Sequence, residues 1–276
     1  MSFSAEVRNE LARCEPKCEY CDLATLAALV RVCGTLSFAG PGRYRLQIAT
    51  ETGAVARTMI GLTHKILKLK TEFTVRKSVL HKVRNYLIAL PDQPDLGKAL
   101  VLLGILDRHG ALVRGVPHHV VARDCCRLAY IRGALIAGGF VADPKGDFHL
   151  EIAVQGEEFA RGLAGLIGEL GINARVNPRR ASFAVYIKSA DDIKKLLTLA
   201  GGSRCVAEIE EARAVKSVKN EVNRRVNAEL ANQTRSAGAA QRQMELIGEL
   251  EHLGLREGLP QALEDFCLLR ETNPDL

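Results

Sequence analysis

The sequence predicts an α+β fold built from two like halves and followed by a helical tail. Three observations carry this. The stretch Leu26-Ala27-Ala28-Leu29-Val30-Arg31-Val32-Cys33-Gly34 returns as Ile131-Arg132-Gly133-Ala134-Leu135-Ile136-Ala137-Gly138-Gly139, 105 positions on from Gly34 to Gly139. Solenoid units repeat every ~20–50 residues, so a period this long duplicates something the size of a domain. Each copy is followed by a turn and an alternating strand, Arg43 to Ile48 in the first and Asp147 to Ile152 in the second. Beyond Gly201-Gly202 the strand pattern stops and the apolar residues recur at helical intervals.

The elements follow in chain order. Phe3, Val7 and Leu11 are spaced four apart and predict a short amphipathic arm. Asp22 is the expected N-cap of the first repeated helix. In that helix Ala24, Ala27 and Ala28 form a smooth ridge; in the second copy Gly133 with Ala137, and Ala134 with Gly138, do the same, which lets two backbones approach closely. After the Gly40-Pro41-Gly42 turn, alternation puts Tyr44, Leu46 and Ile48 on one strand face and Arg43, Arg45 and Gln47 on the other. A helix is expected from Gly53 to Lys70, strands from Glu72 to Lys77 and from His81 to Leu90, and a closing helix from Leu96 to Leu106. Asp107 to Val121, with Gly110, Gly115 and Pro117, reads as a connector whose His118-His119 pair is solvated. The second half repeats the order: a helix from Glu157 to Leu170, strands Asn173 to Asn177 and Ser182 to Lys188, and a helix from Ala190 to Leu199. A long helix runs from about Arg204 to Leu230, with Val206, Ile209, Val215, Val218, Val222, Val226 and Leu230 as its apolar side. Met244, Ile247 and Leu250 mark a further helix, Gly258-Leu259-Pro260 a break, and Leu263, Phe266 and Leu269 the last helix.

The totals of the 276 residues, 47% apolar and 25% charged, are those of an ordinary globular protein. No apolar run approaches the ~20 residues of a membrane span, and the opening Met1-Ser2-Phe3-Ser4-Ala5-Glu6 lacks the regions of a signal peptide, so a cytoplasmic protein is expected. The net charge of +6 is unevenly spread. Residues 241–276 hold three basic and eight acidic residues, a balance of −5 that leaves +11 on residues 1–240. A basic body suits a phosphate-rich partner, because neutralised phosphates release counterions. Among eight cysteines, Cys14-x3-Cys18-x2-Cys21 is the cluster with metal-ligand spacing, but a structural zinc site needs four ligands, and Cys33 or a distant His would have to supply the fourth. Cys125-Cys126 are adjacent, a poor spacing for a shared metal, and neither a metal nor a cofactor is expected.

The duplicated small-residue helix and the strand hairpin behind it resemble the LAGLIDADG homing-endonuclease fold. That resemblance implies two αββαββ halves paired through their motif helices, with a pseudo-twofold saddle of strands lying on DNA. It also implies an acid at the eighth motif position of each helix, where the catalytic divalent metal is held. Aligned on the final glycine, those positions are Cys33 and Gly138, and neither suits Mg²⁺, which takes hard oxygen ligands. Asp143 and Asp147 lie downstream, without counterparts in the first half. The string Leu163-Ala164-Gly165-Leu166-Ile167 spells part of the family name but belongs to the following helix, in register with Met59-Ile60-Gly61-Leu62.

The order of parts narrows the resemblance further. A degenerate LAGLIDADG duplication, the opening Met-Ser-Phe-Ser-Ala-Glu-Val, the string Asn223-Arg224-Arg225-Val226-Asn227 with Ala231-Asn232, then Ser236-Ala237 and a helical tail together resemble the WhiA family of sporulation and cell-division regulators. The resemblance implies a non-catalytic DNA-binding transcriptional regulator whose C-terminal helix-turn-helix reads the operator in the major groove. It divides the chain into an arm (1–21), two halves (22–109 and 122–203) joined by a connector (110–121), a linker helix (204–235) and an incomplete helix-turn-helix domain (236–276). After Asn273-Pro274-Asp275-Leu276 no sequence remains for a recognition helix, and truncation of a longer protein is expected.

The expected DNA contacts are Arg43, Arg45, Arg76, Lys77, Lys82 and Arg84 in the first half and Arg175, Arg179, Arg180 and Lys188 in the second, as phosphate contacts that position without specifying sequence. On the long helix they are Asn220, Asn223, Arg224 and Asn227, since asparagines at helical spacing oppose helix propensity and ask for a reason. Taken singly, each also fits a solvated face. The expected partners are double-stranded DNA and other transcription regulators, without a membrane, in a nucleoid-associated cytoplasmic protein. Two other readings stay open on these residues: an active endonuclease, and a sensing module whose saddle binds a protein or small ligand.

Overall fold

In the computed structural model, which describes residues 2–40, 42–77 and 84–273, the chain divides into two compact units, Met1–Arg213 and Ala214–Leu276. The first holds the duplication. Its elements are α1 (Phe3–Leu11), α2 (Cys21–Cys33), β1 (Gly34–Gly40), β2 (Arg43–Thr50), α3 (Gly53–Leu62), β3 (Glu72–Lys77), β4 (Arg84–Leu90) and α4 (Leu96–Leu102), then α5 (Asp124–Gly138), β5 (Gly139–Val141), β6 (Leu150–Val154), α6 (Glu157–Gly168), β7 (Arg175–Pro178), β8 (Phe183–Ile187) and α7 (Ala190–Ala200). The two antiparallel sheets have the same strand order, β1-β2-β4-β3 and β5-β6-β8-β7, as a duplicated half requires.

The repeated helices α2 and α5 form the centre. Ala24, Leu26, Ala27, Ala28 and Leu29 are completely buried, as are Ile131 and Ala134. The side-chain sizes dictate the closeness: a methyl on Gly133 would stand 2.5 Å from the Thr25 carbonyl oxygen and 2.9 Å from Ala28 Cβ. Thr25 Oγ1 donates to Ala129 O at 3.3 Å and to Cys21 O at 3.0 Å. Contacts therefore join Thr25 to Ala129, Ala28 to Gly133 and Val32 to Gly138, so the helices run side by side in one direction. Each ends on its expected glycine, Gly34 or Gly139, which turns into extended backbone and opens the first strand of its sheet.

The arm α1 buries Val7 and Leu11 as its spacing predicts and ties the halves together. Ser4 Oγ accepts from the Val141 amide at 3.2 Å, covering the short edge strand β5. Arg8 donates to Gly139 O at 2.9 and 2.6 Å and to Thr52 Oγ1 at 3.1 Å. Glu10 accepts from the Arg204 and Cys205 amides at 2.7 and 3.0 Å, a carboxylate cap on the first turn of α8 (Ser203–His252).

Several expectations need correction. Asp22 lies inside the first turn of α2, whose N-cap is Tyr20, and Asp22 instead pairs with Lys65 at 2.6 Å. The helix expected to reach Lys70 leaves α-geometry after Leu62, passes through a π turn at Thr63–Leu67, and is stopped by Lys68 at φ 54°. The helix expected to reach Leu106 ends at Leu102, and Gly104 turns the chain at φ +66°. The long helix does not stop near Leu230: α8 continues to His252 and absorbs the segment marked by Met244, Ile247 and Leu250. Of its expected apolar side, Val206 and Ile209 are buried, whereas Val215, Val218, Val222, Val226 and Leu230 are exposed. In the second unit α9 (Gln261–Thr272) follows a tight turn, and Arg256 fixes that turn by donating to both carboxylate oxygens of Glu271 at 2.6 and 2.7 Å and to Glu251.

Candidate nucleic-acid interface

The motif positions are incompatible with metal-dependent hydrolysis by their own side chains. Cys33 donates its thiol to Leu29 O at 3.0 Å, and burial pushes its pKa up to about 12, so it stays protonated. At Gly138 a Cβ would meet Ala153 O and Val32 Cγ1, both at 2.7 Å. No carboxylate fits there without moving backbone. Asp143 and Asp147 are exposed, and Asp143 accepts from the Lys145 amide at 2.9 Å within its own turn. The string Leu163 to Ile167 lies in α6, where Leu163, Leu166 and Ile167 are core residues.

Strand register sorts the basic residues by face. Ser37 pairs with Arg45, Gln47 with Ala89, and Ala89 with Glu72, so β2 residues 43, 45 and 47 share the outward face of the first sheet with Glu72, Thr74 and Arg76. Arg43, Arg45 and Arg76 are exposed there, as expected. Two of them already have acidic neighbours: Arg43 bonds Asp92 at 2.6 Å and Arg45 stands 3.7 Å from Glu72. Lys77 and Arg84 are cross-strand partners one residue out of phase, so alternation puts them on the opposite, core-side face, past its packed part. Lys82 lies outside the described residues.

In the second sheet Phe140, Glu151, Tyr186 and Arg175 form one cross-strand row on the outward face. The His149 ring lies between Phe140 and Tyr186, with centroids 6.5 and 6.2 Å away. Glu151 accepts from His149 Nε2 at 3.0 Å and from Arg179 Nη2. Lys188 Nζ sits 5.8 Å from the Tyr186 centroid. Arg175, Arg179 and Lys188 are thus brought together on this face, while the exposed Arg180 lies in the turn between β7 and β8. Sequence reading missed the aromatic row, although the alternation of His149 and Glu151 against Leu150 and Ile152 was visible.

On α8, Asn220, Asn223, Arg224 and Asn227 are all exposed. The residues from Ser217 to Ser236 are exposed throughout.

The cysteines depart most from expectation. Cys14 is directed elsewhere, toward Ala200 O at 3.6 Å and Gly201 O at 3.4 Å. Cys125 and Cys126, in the first turn of α5, instead meet Cys18 and Cys21, and the four sulfurs all lie within 4.8 Å of one another. The adjacent pair, poorly spaced for a metal by sequence, supplies what the Cys18-x2-Cys21 pair lacks. Its signal was the repeat itself, since 105 positions carry Cys21 onto Cys126.

Three family models cover most of the chain: the WhiA N-terminal LAGLIDADG-like domain over residues 19–106, the WhiA LAGLIDADG-like domain over 127–219, and the WhiA C-terminal HTH domain over 222–276. Two proteins named "Probable cell division protein WhiA" align along the whole chain. That of Desulfitobacterium hafniense (strain Y51) is 38% identical, with 86% of its length covered, and that of Symbiobacterium thermophilum is 39% identical, with 88% covered. The crystal structure of "full-length DUF199/WhiA from Thermatoga maritima" matches the fold at a TM-score of 0.66 and 24% identity, covering 100% of this chain and 88% of that one. The "N-terminal LAGLIDADG domain of DUF199/WhiA" matches at 0.58 and 22% identity, covering 72% and 90%.

Proposed function

Because this chain belongs to the WhiA family, we propose that it is a DNA-binding transcriptional regulator acting in cell division, chromosome segregation and sporulation, and that it does not cut the DNA it holds. The observation that carries this reading is the match of residues 222–276 to a helix-turn-helix domain, on a chain whose two motif positions are a protonated thiol and a glycine with no room for a side chain.

In this reading the helix-turn-helix supplies sequence discrimination, and the outward sheet faces supply phosphate contacts that orient the duplex. Arg76 in the first half and Arg175 and Lys188 in the second are the cations placed for that role. Arg43, Arg45 and Arg179 must exchange Asp92, Glu72 and Glu151 for phosphate, so each contributes less than an unpartnered cation. Phe140, His149 and Tyr186 offer ring faces that pack against sugar or an exposed base. Lys77, Arg84 and Arg180 serve as flanking charges, Lys82, outside the described residues, is a further proposed phosphate contact, and Asn220, Asn223, Arg224 and Asn227 serve as contacts from the linker. The proposed division keeps residues 22–109 and 122–203 as the two halves and assigns 236–276 to the reader domain. Other transcription regulators are the proposed protein partners, and the nucleoid in the cytoplasm the proposed location. Among the described residues no helix is long and apolar enough to cross a membrane.

The test is duplex binding by this chain across a salt series, alongside the variant Arg76→Glu/Arg175→Glu. The expected result is weaker binding for the variant on every sequence tried and a shallower dependence of log K on log salt, by roughly 0.9 for each phosphate no longer neutralised. Equal affinity and slope for the two proteins would remove the sheet faces from the interface. Binding by neither would favour the sensing module.

A further inference from the structure

We propose that Cys18, Cys21, Cys125 and Cys126 hold a zinc ion that pins the two halves together at the leading ends of α2 and α5. The sulfurs come from segments more than 100 residues apart in sequence, yet Cys18 Sγ is 3.4 Å from Cys21 Sγ, 3.5 Å from Cys125 Sγ and 3.7 Å from Cys126 Sγ, and all four lie within 4.8 Å of one another. With a Zn–S bond of about 2.3 Å, a tetrahedral site separates its sulfurs by about 3.8 Å. The observed spacing is already that of ligands around one ion. A polynuclear iron–sulfur cluster spreads its thiolates over several irons and needs a wider frame.

The surroundings fit the charge of such a site. Binding Zn²⁺ releases four thiol protons and leaves a centre of net charge −2. Cys21 is the first residue of α2, and Cys125 and Cys126 lie in the first turn of α5, so the positive dipole ends of two helices lie beside the sulfurs. The Arg123 guanidinium, on the residue before α5, lies over the Tyr20 ring 4.4 Å from its centroid and adds a positive charge beside the cluster. The Cys-x2-Cys segment closes as a tight turn, with the Cys21 amide donating to Cys18 O at 3.1 Å. Neighbouring residues on a helix diverge by about 100° around the axis, but in the first turn the side chains of Cys125 and Cys126 both reach past the helix end toward Cys18. Cys21 and Cys126 are buried and Cys18 and Cys125 half-buried, so the ion would be shielded while open to exchange from one side.

The site also explains a division of labour. At their C-terminal ends the paired helices are locked by Arg8 on Gly139 O and by the strands that begin there. At their N-terminal ends the Cys18–Cys21 turn and the first turn of α5 meet through these sulfurs. A metal closes that end as a covalent clip would, and without it four thiols would crowd together with no stronger bond than S–H···S.

The test is metal analysis of the full chain, purified with a reductant and without chelator. About one zinc per chain is expected. Cys18→Ser and Cys125→Ser should fall well below half of that, while Cys14→Ser and Cys33→Ser, outside the cluster, keep it. Replacing zinc with Co²⁺ in the wild type should give the intense visible bands and thiolate charge transfer of tetrahedral cobalt–sulfur coordination. Zinc near zero in the wild type together with no such bands would overturn the proposal, as would zinc retained in full by both cluster variants. Iron at one per chain would overturn the metal assigned.

Discussion

Gly133→Ala puts the pairing of the repeated helices to a quantitative trial. The new methyl would sit 2.5 Å from the Thr25 carbonyl oxygen and 2.9 Å from Ala28 Cβ, well inside the ~3.5–4.0 Å at which non-bonded atoms attract. Neither obstacle is the far end of a flexible side chain, so α2 and α5 must separate. Helix propensity favours Ala over Gly by about 0.8–1.0 kcal/mol, while overpacking a tight core costs about 1–3 kcal/mol. With backbone as the obstacle the upper end applies, and the net loss is about 2 kcal/mol. Separation also strains the Thr25 to Ala129 hydrogen bond. Gly165→Ala in α6 is the control, because nothing lies within 4 Å of the added methyl. There propensity acts alone, and a gain of about 0.5–1 kcal/mol is expected. The chain has no tryptophan, so urea denaturation followed by far-ultraviolet circular dichroism reads both variants. A Gly133→Ala protein as stable as the Gly165→Ala protein would refute the close approach of the helices.

Other consequences follow from single contacts. Arg8→Ala removes three hydrogen bonds that join α1 to Gly139 and Thr52, and a loss of about 1.5–3 kcal/mol in denaturation is expected, as for bonds from a charged donor. Glu10 carries a pH dependence. Burial raises its pKa, but hydrogen bonds from Cys205 and from the Arg204 and Cys205 amides outweigh that and hold it below 4.5. A carboxylate depressed in the native state adds stability that is full above its unfolded pKa and is lost as pH falls through the native one. Glu10→Gln should therefore be less stable than wild type at pH 7, with the gap closing on acidification below about 4.5. Restoring an acid by Gly138→Asp should destabilise by more than about 2 kcal/mol through overpacking and create no Mg²⁺-dependent cleavage, measured on supercoiled plasmid. Tyr186→Ala should weaken duplex binding without changing the salt slope, because it removes a ring and no charge.

The fold was legible where small residues and alternation spoke directly. The ridges of Ala24, Ala27, Ala28, Gly133 and Ala137 pointed to two helices in close contact, although buried Ala-rich helices without such a pairing would carry the same pattern, and the strand orders follow the repeat. The basic residues were legible as a set but not as a surface. Arg76 and Lys77 are neighbours in sequence and opposite in a strand, and register against β4 decides which one shares a face with Arg45. Asp92, Glu72 and Glu151 lie far in sequence from the cations they neutralise, so the partly cancelled charge of the sheet faces was hidden. The extent of α8 was underestimated because exposed Val218, Val222 and Val226 imitate a buried stripe, while the helix passes through Ser236-Ala237-Gly238 without a break. The cysteine cluster needed the pairing of α2 with α5, since only side-by-side helices bring Cys21 and Cys126 to one end.

Incubation of this chain with labelled duplex in Mg²⁺, monitoring binding by anisotropy and strand integrity on a denaturing gel, separates a regulator from a nuclease. Salt-sensitive binding with both strands intact at every protein concentration is the expected result. Metal-dependent double-strand breaks would show that the scaffold keeps its acids elsewhere, and the reading of a nuclease fold converted to a regulator would be wrong.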